Sequence, residues 1–127
     1  MSSRRVLLAS SGDESAQTLA RLLSQRGLET LPCFTIPELK SALASQRFDV
    51  VFCATHLQDG SFREALKALA PSHAGPPVVV FSRVGEEYME AMRLGAFDFI
   101  APPYRSGEVD RIVSNAIGTV FTAAASA

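Results

Sequence analysis

The side chains that could do chemistry in this chain are few and lie far apart in sequence. Ser10-Ser11-Gly12-Asp13-Glu14 leads into a helical pattern. Free N–H groups at such a turn can hold a phosphate, but Asp13 and Glu14 would repel one. The simpler expectation is a cap, with Ser11 or Asp13 accepting from the first turn and Ser11-x-x-Glu14 forming a capping box. His56 and Asp59 share a loop near Cys53, at a spacing unsuited to a metal site. Asp59-Gly60 reads as a turn. Arg83 follows Ser82, and its side chain is either solvated or pairs with Asp13 or Asp59. His73 falls in a Pro/Gly-rich connector and is expected in solvent. Cys33 and Cys53 lack the CxxC spacing of a redox or zinc site and are expected to be reduced, buried hydrophobes. No GxSxG elbow, GxGxxG loop or His/Cys/Asp grouping at catalytic spacing occurs, so a non-enzymatic role is expected.

Those side chains need a frame, and the hydrophobic pattern supplies one. Continuous apolar runs at Val6 to Ala9, Val50 to Ala54 and Val78 to Phe81 predict strands buried on both faces. Two weaker candidates are Glu29 to Leu31 and Phe97 to Ile100. Between them run helical patterns: Glu14 to Arg26, and Pro37 to Ala44 behind a Thr35-Ile36-Pro37-Glu38 capping box. Three more are expected at Ser61 to Ala70, Glu86 to Leu94 stopped by Gly95, and Gly107 onward, with Val109, Ile112, Val113 and Ala116 at helical spacing. Parallel neighbours need long crossovers, so strict β–α alternation implies a doubly wound parallel α/β sheet. With 127 residues, 47% of them hydrophobic, the chain has material for one core and not two. It is read as a single domain over 1–127, with 117–127 a helix extension, frayed end or linker.

Ligands and chemistry in such sheets collect at the carboxyl ends of the strands. The positions that matter are then Ser10 and Ser11, Ala54, Ser82 and the Ala101-Pro102-Pro103 segment.

Phe48-Asp49-Val50-Val51-Phe52, Leu57-Gln58-Asp59-Gly60, Arg93-Leu94-Gly95-Ala96-Phe97-Asp98-Phe99-Ile100 and Pro103-Tyr104 together resemble bacterial two-component response-regulator receiver domains. The likeness runs from about Arg5 to Ile117, and Gly95 to Ile100 followed by proline is its most specific part. It implies a flavodoxin-like sheet of order 2-1-3-4-5. It also implies a phosphoryl-accepting aspartate ending the third strand, an acidic pair that holds Mg²⁺, a Ser/Thr hydroxyl, and a lysine before a proline whose peptide bond is usually cis.

At those positions this chain carries Ala54 for the acceptor, Ser10 and Ser11 for the acidic pair and Pro102 for the lysine; only the hydroxyl is kept, as Ser82. A methyl group is no nucleophile, and Mg²⁺ loses water reluctantly without carboxylates. Proline also brings no positive charge to a transferring phosphoryl group. The resemblance thus implies a pseudo-receiver that binds no Mg²⁺ or other cofactor and acts through protein contacts. Phe99 matches the aromatic switch position. Tyr88 and Met92 are expected beside it on the face of the fourth helix, fifth strand and fifth helix, with Met89 and Ala91 turned to the sheet. Together with Tyr104 they form a candidate interface for an output domain, another protein or a second copy. Two alternatives remain: a small-molecule or anion sensor using Ser10, Ser11 and Ser82, or phosphorylation relocated to Asp59 or Asp13.

A net charge of −1 suggests no direct nucleic acid partner. The apolar run after the N-terminus is too short for a signal or a membrane span, so the expected location is the cytoplasm.

Overall fold

A computed structural model describes residues 4–69, 75–82 and 87–126. The expectations for His73, Arg83 and the first residue of the fourth helix, Glu86, fall outside them. In chain order the elements are β1 (Arg5–Ala9), α1 (Glu14–Gln25), β2 (Glu29–Cys33), α2 (Ile36–Ser45) and β3 (Val50–Ala54). They continue with α3 (Phe62–Leu69), β4 (Val78–Phe81), α4 (Tyr88–Arg93), β5 (Asp98–Ile100) and α5 (Ser106–Ser126). All strand pairs are parallel and the sheet order is β2-β1-β3-β4-β5, as expected.

The apolar runs are continuous because alternate strand residues point to opposite faces and both faces are covered. Val6, Leu8, Val50, Phe52, Val79 and Phe81 pack with α1 and α5, through Leu19, Leu23, Ile112 and Val113. Leu7, Ala9, Val51, Cys53, Val78 and Val80 pack with α2, α3 and α4, through Leu39, Phe62, Leu66 and Ala91. The two weaker strand candidates are the two edges. β2 is mostly exposed and tolerates Pro32 because one side of its ladder has no partner.

Two glycines set the helix exits. Gly27 and Gly95 have φ of +80° and +105°, which side chains with a Cβ rarely adopt. After each, paired bonds close the helix: Leu28 N–H to the Leu23 carbonyl with Gly27 N–H to Ser24, and Ala96 N–H to Ala91 with Gly95 N–H to Met92. Leu28 and Ala96 then enter the core beside Leu23 and Ala91. The Gly95-Ala96 pair therefore has a local physical cause: one residue turns the chain and the next is buried.

The Thr35/Glu38 capping box is formed, whereas the one expected from Ser11 and Glu14 is not. Asp13 is the N-cap of α1, its carboxylate accepting from Ala16 N–H at 3.1 Å. A second correction concerns Met89, which is 67% exposed while Ala91 is fully buried. Residues two apart on a helix differ by about 200°, so the two could not both face the sheet. At the C-terminus, α5 runs on as far as Ser126; an alanine run readily extends a helix that has already nucleated.

Candidate functional site

The carboxyl ends of β1, β3 and β4 meet at a cleft of about 270 Å³. Three of the positions singled out from the sequence line it: Ser11, Ala54 and Ser82. Ser10 is buried and shapes the turn instead, its Oγ accepting from Gly12 N–H at 3.0 Å. Pro102 is exposed on the loop after β5, and the bond from Pro102 to Pro103 is cis.

Four further lining residues were not foreseen as such: Ser15, Thr55, His56 and Phe81. Strand alternation would send Thr55 to the face opposite Ala54. The strand ends at Ala54, however, and the loop closes tightly, with Phe62 N–H donating to the Thr55 carbonyl at 3.0 Å and Leu57 N–H to Gly60 at 2.8 Å. That closure carries Thr55 and His56 to the rim.

The cleft is rich in hydroxyls and poor in charge. Among the described lining residues the carboxylate is that of Asp13, which is committed to the α1 cap. Asp59 lies outside the lining and accepts from Ile36 N–H at 2.9 Å, which ties the β3–α3 loop to the start of α2. Among the described residues no three His, Cys, Asp or Glu side chains gather closely enough to hold a metal ion. The donor set does not suit Mg²⁺, a hard cation that demands several oxygen ligands and favours carboxylates.

Cys33 and Cys53 are both paired with Ala9, on its two sides. Two strand spacings separate them, about 9.5 Å and too far for a disulfide. Both are free, and burial pushes each thiol up to about 12.

Beyond the cleft, Ser82 connects inward and outward. Its carbonyl accepts from the Tyr104 hydroxyl at 2.6 Å, and the Tyr104 ring lies edge-on to Phe81 at 6.4 Å. Phe99 is half-buried, with Tyr88 edge-on at 5.8 Å. Met92 is partly buried against the core, while Tyr88 remains 46% exposed. Arg63 on α3 makes a bidentate pair with Glu90 on α4, at 2.5 and 2.7 Å. The Arg63 side chain holds the Glu90 carboxyl below its usual range.

No protein-family profile matches the chain. The response regulator protein PilR of Pseudomonas aeruginosa is 25% identical over 119 residues, covering 92% of this chain and 27% of PilR. The receiver domain of NtrX from Brucella abortus superposes with a TM-score of 0.82 at 26% identity, over 90% of this chain and 98% of that one. In sequence and in fold alike, the chain is similar to response-regulator receiver domains. A third receiver domain, from the sensor histidine kinase PA1611 of P. aeruginosa, was solved with magnesium in its active-site cleft. It superposes at a TM-score of 0.82 with 16% identity, over 92% and 99% of the two chains. The chain spans only about a quarter of the length of PilR. No described helix of the chain is long and apolar enough to cross a membrane.

Proposed function

We propose that this receiver domain works in two-component signalling without a covalent phosphate at residue 54, passing information through protein contacts. One observation carries the reading: β3 ends in the methyl group of Ala54, in a cleft walled by hydroxyls where, among the described lining residues, the carboxylate of Asp13 already caps a helix. Such a site has no oxygen nucleophile at the strand end and no ligand set for Mg²⁺. Pro102, at the position matching the family's lysine, brings no cation to a phosphoryl group. Asp13 and Asp59 do not serve as relocated acceptors, because each carboxylate is bound to a backbone N–H of a neighbouring helix.

The remaining route is surface. Tyr88, Met92, Phe99 and Tyr104 are assigned to the face of α4, β5 and α5, where the exposed Tyr88 ring lies edge-on to Phe99, and exposed aromatic side chains suit an interface centre. We assign this face to an output domain, another signalling protein or a second copy of the chain. The domain acts in the cytosol, is no enzyme and touches neither nucleic acid nor membrane directly. The hydroxyls of Ser11, Ser15, Thr55 and Ser82 favour one second reading, a cleft that senses a small polar ligand.

Thermal unfolding with and without millimolar Mg²⁺ tests the metal side of the proposal. The same melting temperature in both is the expected result, and a rise of several degrees with Mg²⁺ would contradict it.

A further inference from the structure

The cleft holds more hydrogen-bonding capacity than the fold uses. Thr55 is only 8% exposed, and both its backbone groups are paired, the N–H with the Phe81 carbonyl at 3.1 Å and the carbonyl with Phe62 N–H. Its hydroxyl has no partner among the described residues, yet it is not sealed in: the enclosed side-chain oxygen without a partner among those residues is that of Thr30. Thr55 lines the cleft, so the unpaired hydroxyl opens there. Buried hydroxyls are nearly always satisfied within a fold, and one left open at a cleft wall calls for a ligand group. Ser11, Ser15 and His56 line the same cleft, and their side chains likewise have no hydrogen-bond partner among the described residues. The loop that carries Thr55 and His56 is also fixed in advance. Gln58 N–H donates to the Phe34 carbonyl at 2.9 Å, beside the bond from Ile36 N–H to Asp59, so little ordering is left for a ligand to impose.

We propose that the cleft binds a small neutral polyol of four or five carbons through these hydroxyls. The proposal deepens the second reading given above, a cleft that senses a small polar ligand, and rests on it. Size follows from volume: the cleft of about 270 Å³, at about 30 Å³ for each water-sized group, takes roughly nine non-hydrogen atoms. Charge follows from the carboxylates. Asp13 stands in the lining, and the Glu87 carboxylate accepts from the Ser82 hydroxyl at 3.3 Å, so an anion entering here meets like charge. A cation gains little, because Asp13 already accepts from the first turn of α1 and the other polar lining residues are Ser, Thr and His. Each serine or threonine hydroxyl both donates and accepts, and so does each alcohol of a polyol, so the two sets pair without either bringing a charge. Ala54 and Phe81 add a stretch of apolar wall for the C–H side of such a molecule.

Titration of the isotope-labelled chain with erythritol and with ribose, followed by amide NMR shifts, tests the proposal, with inorganic phosphate and ethanolamine as the charged probes. Saturable shifts at Ser11, Ser15, Thr55 and His56 with the neutral probes, and none with the charged ones, are the expected result. Thr55→Val removes the hydroxyl and nearly keeps the shape. It is expected to weaken binding about tenfold and to leave the melting temperature unchanged or higher, since no bond within the fold is lost. Ser11→Ala, on the exposed rim, is expected to weaken binding by a smaller factor without touching the core. Saturation by phosphate or ethanolamine overturns the neutral class and leaves the sensing cleft in place, whereas silence with all four probes overturns both. A Thr55→Val chain that binds the neutral probes as the wild type does, or that melts several degrees lower, also overturns the proposal.

Discussion

Asp13 shows how far single residues can be read from sequence. A cap was legible at Ser11 or Asp13, since both residue types accept N–H bonds at helix starts. The choice between them depends on the turn that Ser10 makes with Gly12, and that turn leaves no mark in residue type. Ala54 and Ser82, singled out at strand ends, line the cleft. The contact of Glu87 with Ser82, five positions earlier, was missed because it follows neither helical nor strand spacing. The cysteines give the prediction proper to this scale. Both thiols are raised from 9.0 to about 12 in the fold. Below pH 9 folded and unfolded chains hold these protons equally, and the stability from keeping the thiols neutral is fully present. Between pH 9 and 12 the unfolded chain releases protons that the folded chain retains, so stability falls as pH rises. Urea unfolding should show this decline, and Cys33→Ala with Cys53→Ala should make it shallower. An equally steep decline in the double variant would refute the assignment.

At the scale of elements, signal strength followed burial. β1, β3 and β4 are covered on both faces and announced themselves as unbroken apolar runs. β2 and β5 are edges and only partly covered, so their patterns were weak. Helix α4 was placed but rotated wrongly at Met89, because six residues give too little periodicity to fix an orientation. Its exit was clear by contrast, since Gly95 supplies a backbone that alanine resists. Gly95→Ala is expected to cost about 1–2 kcal/mol. Nothing lies within 4 Å of the added Cβ, so the whole penalty is conformational. Chemical denaturation measures it, and a neutral outcome would mean that the α4 exit relaxes freely.

Over the whole molecule, strict alternation of strand and helix forced the parallel sheet, and the sheet forced a cleft where its strands end. That much needed only the pattern of apolar residues. The cleft's lining was half legible: strand ends gave Ser11, Ala54 and Ser82, while Ser15, Thr55 and His56 arrive through a loop closure and a helix turn. The same geometry separates two properties joined in the family that this chain resembles. The fold that sets strand ends beside the α4–β5 surface is present, and the residues matched by resemblance to the family's charged positions are Ser10, Ser11, Ala54 and Pro102. Incubation with acetyl phosphate and Mg²⁺ followed by intact mass measurement addresses this most directly. The unmodified mass is the predicted result; an adduct of one phosphoryl group, mapped to Asp13, Asp59 or any other carboxylate at this end of the sheet, would contradict it.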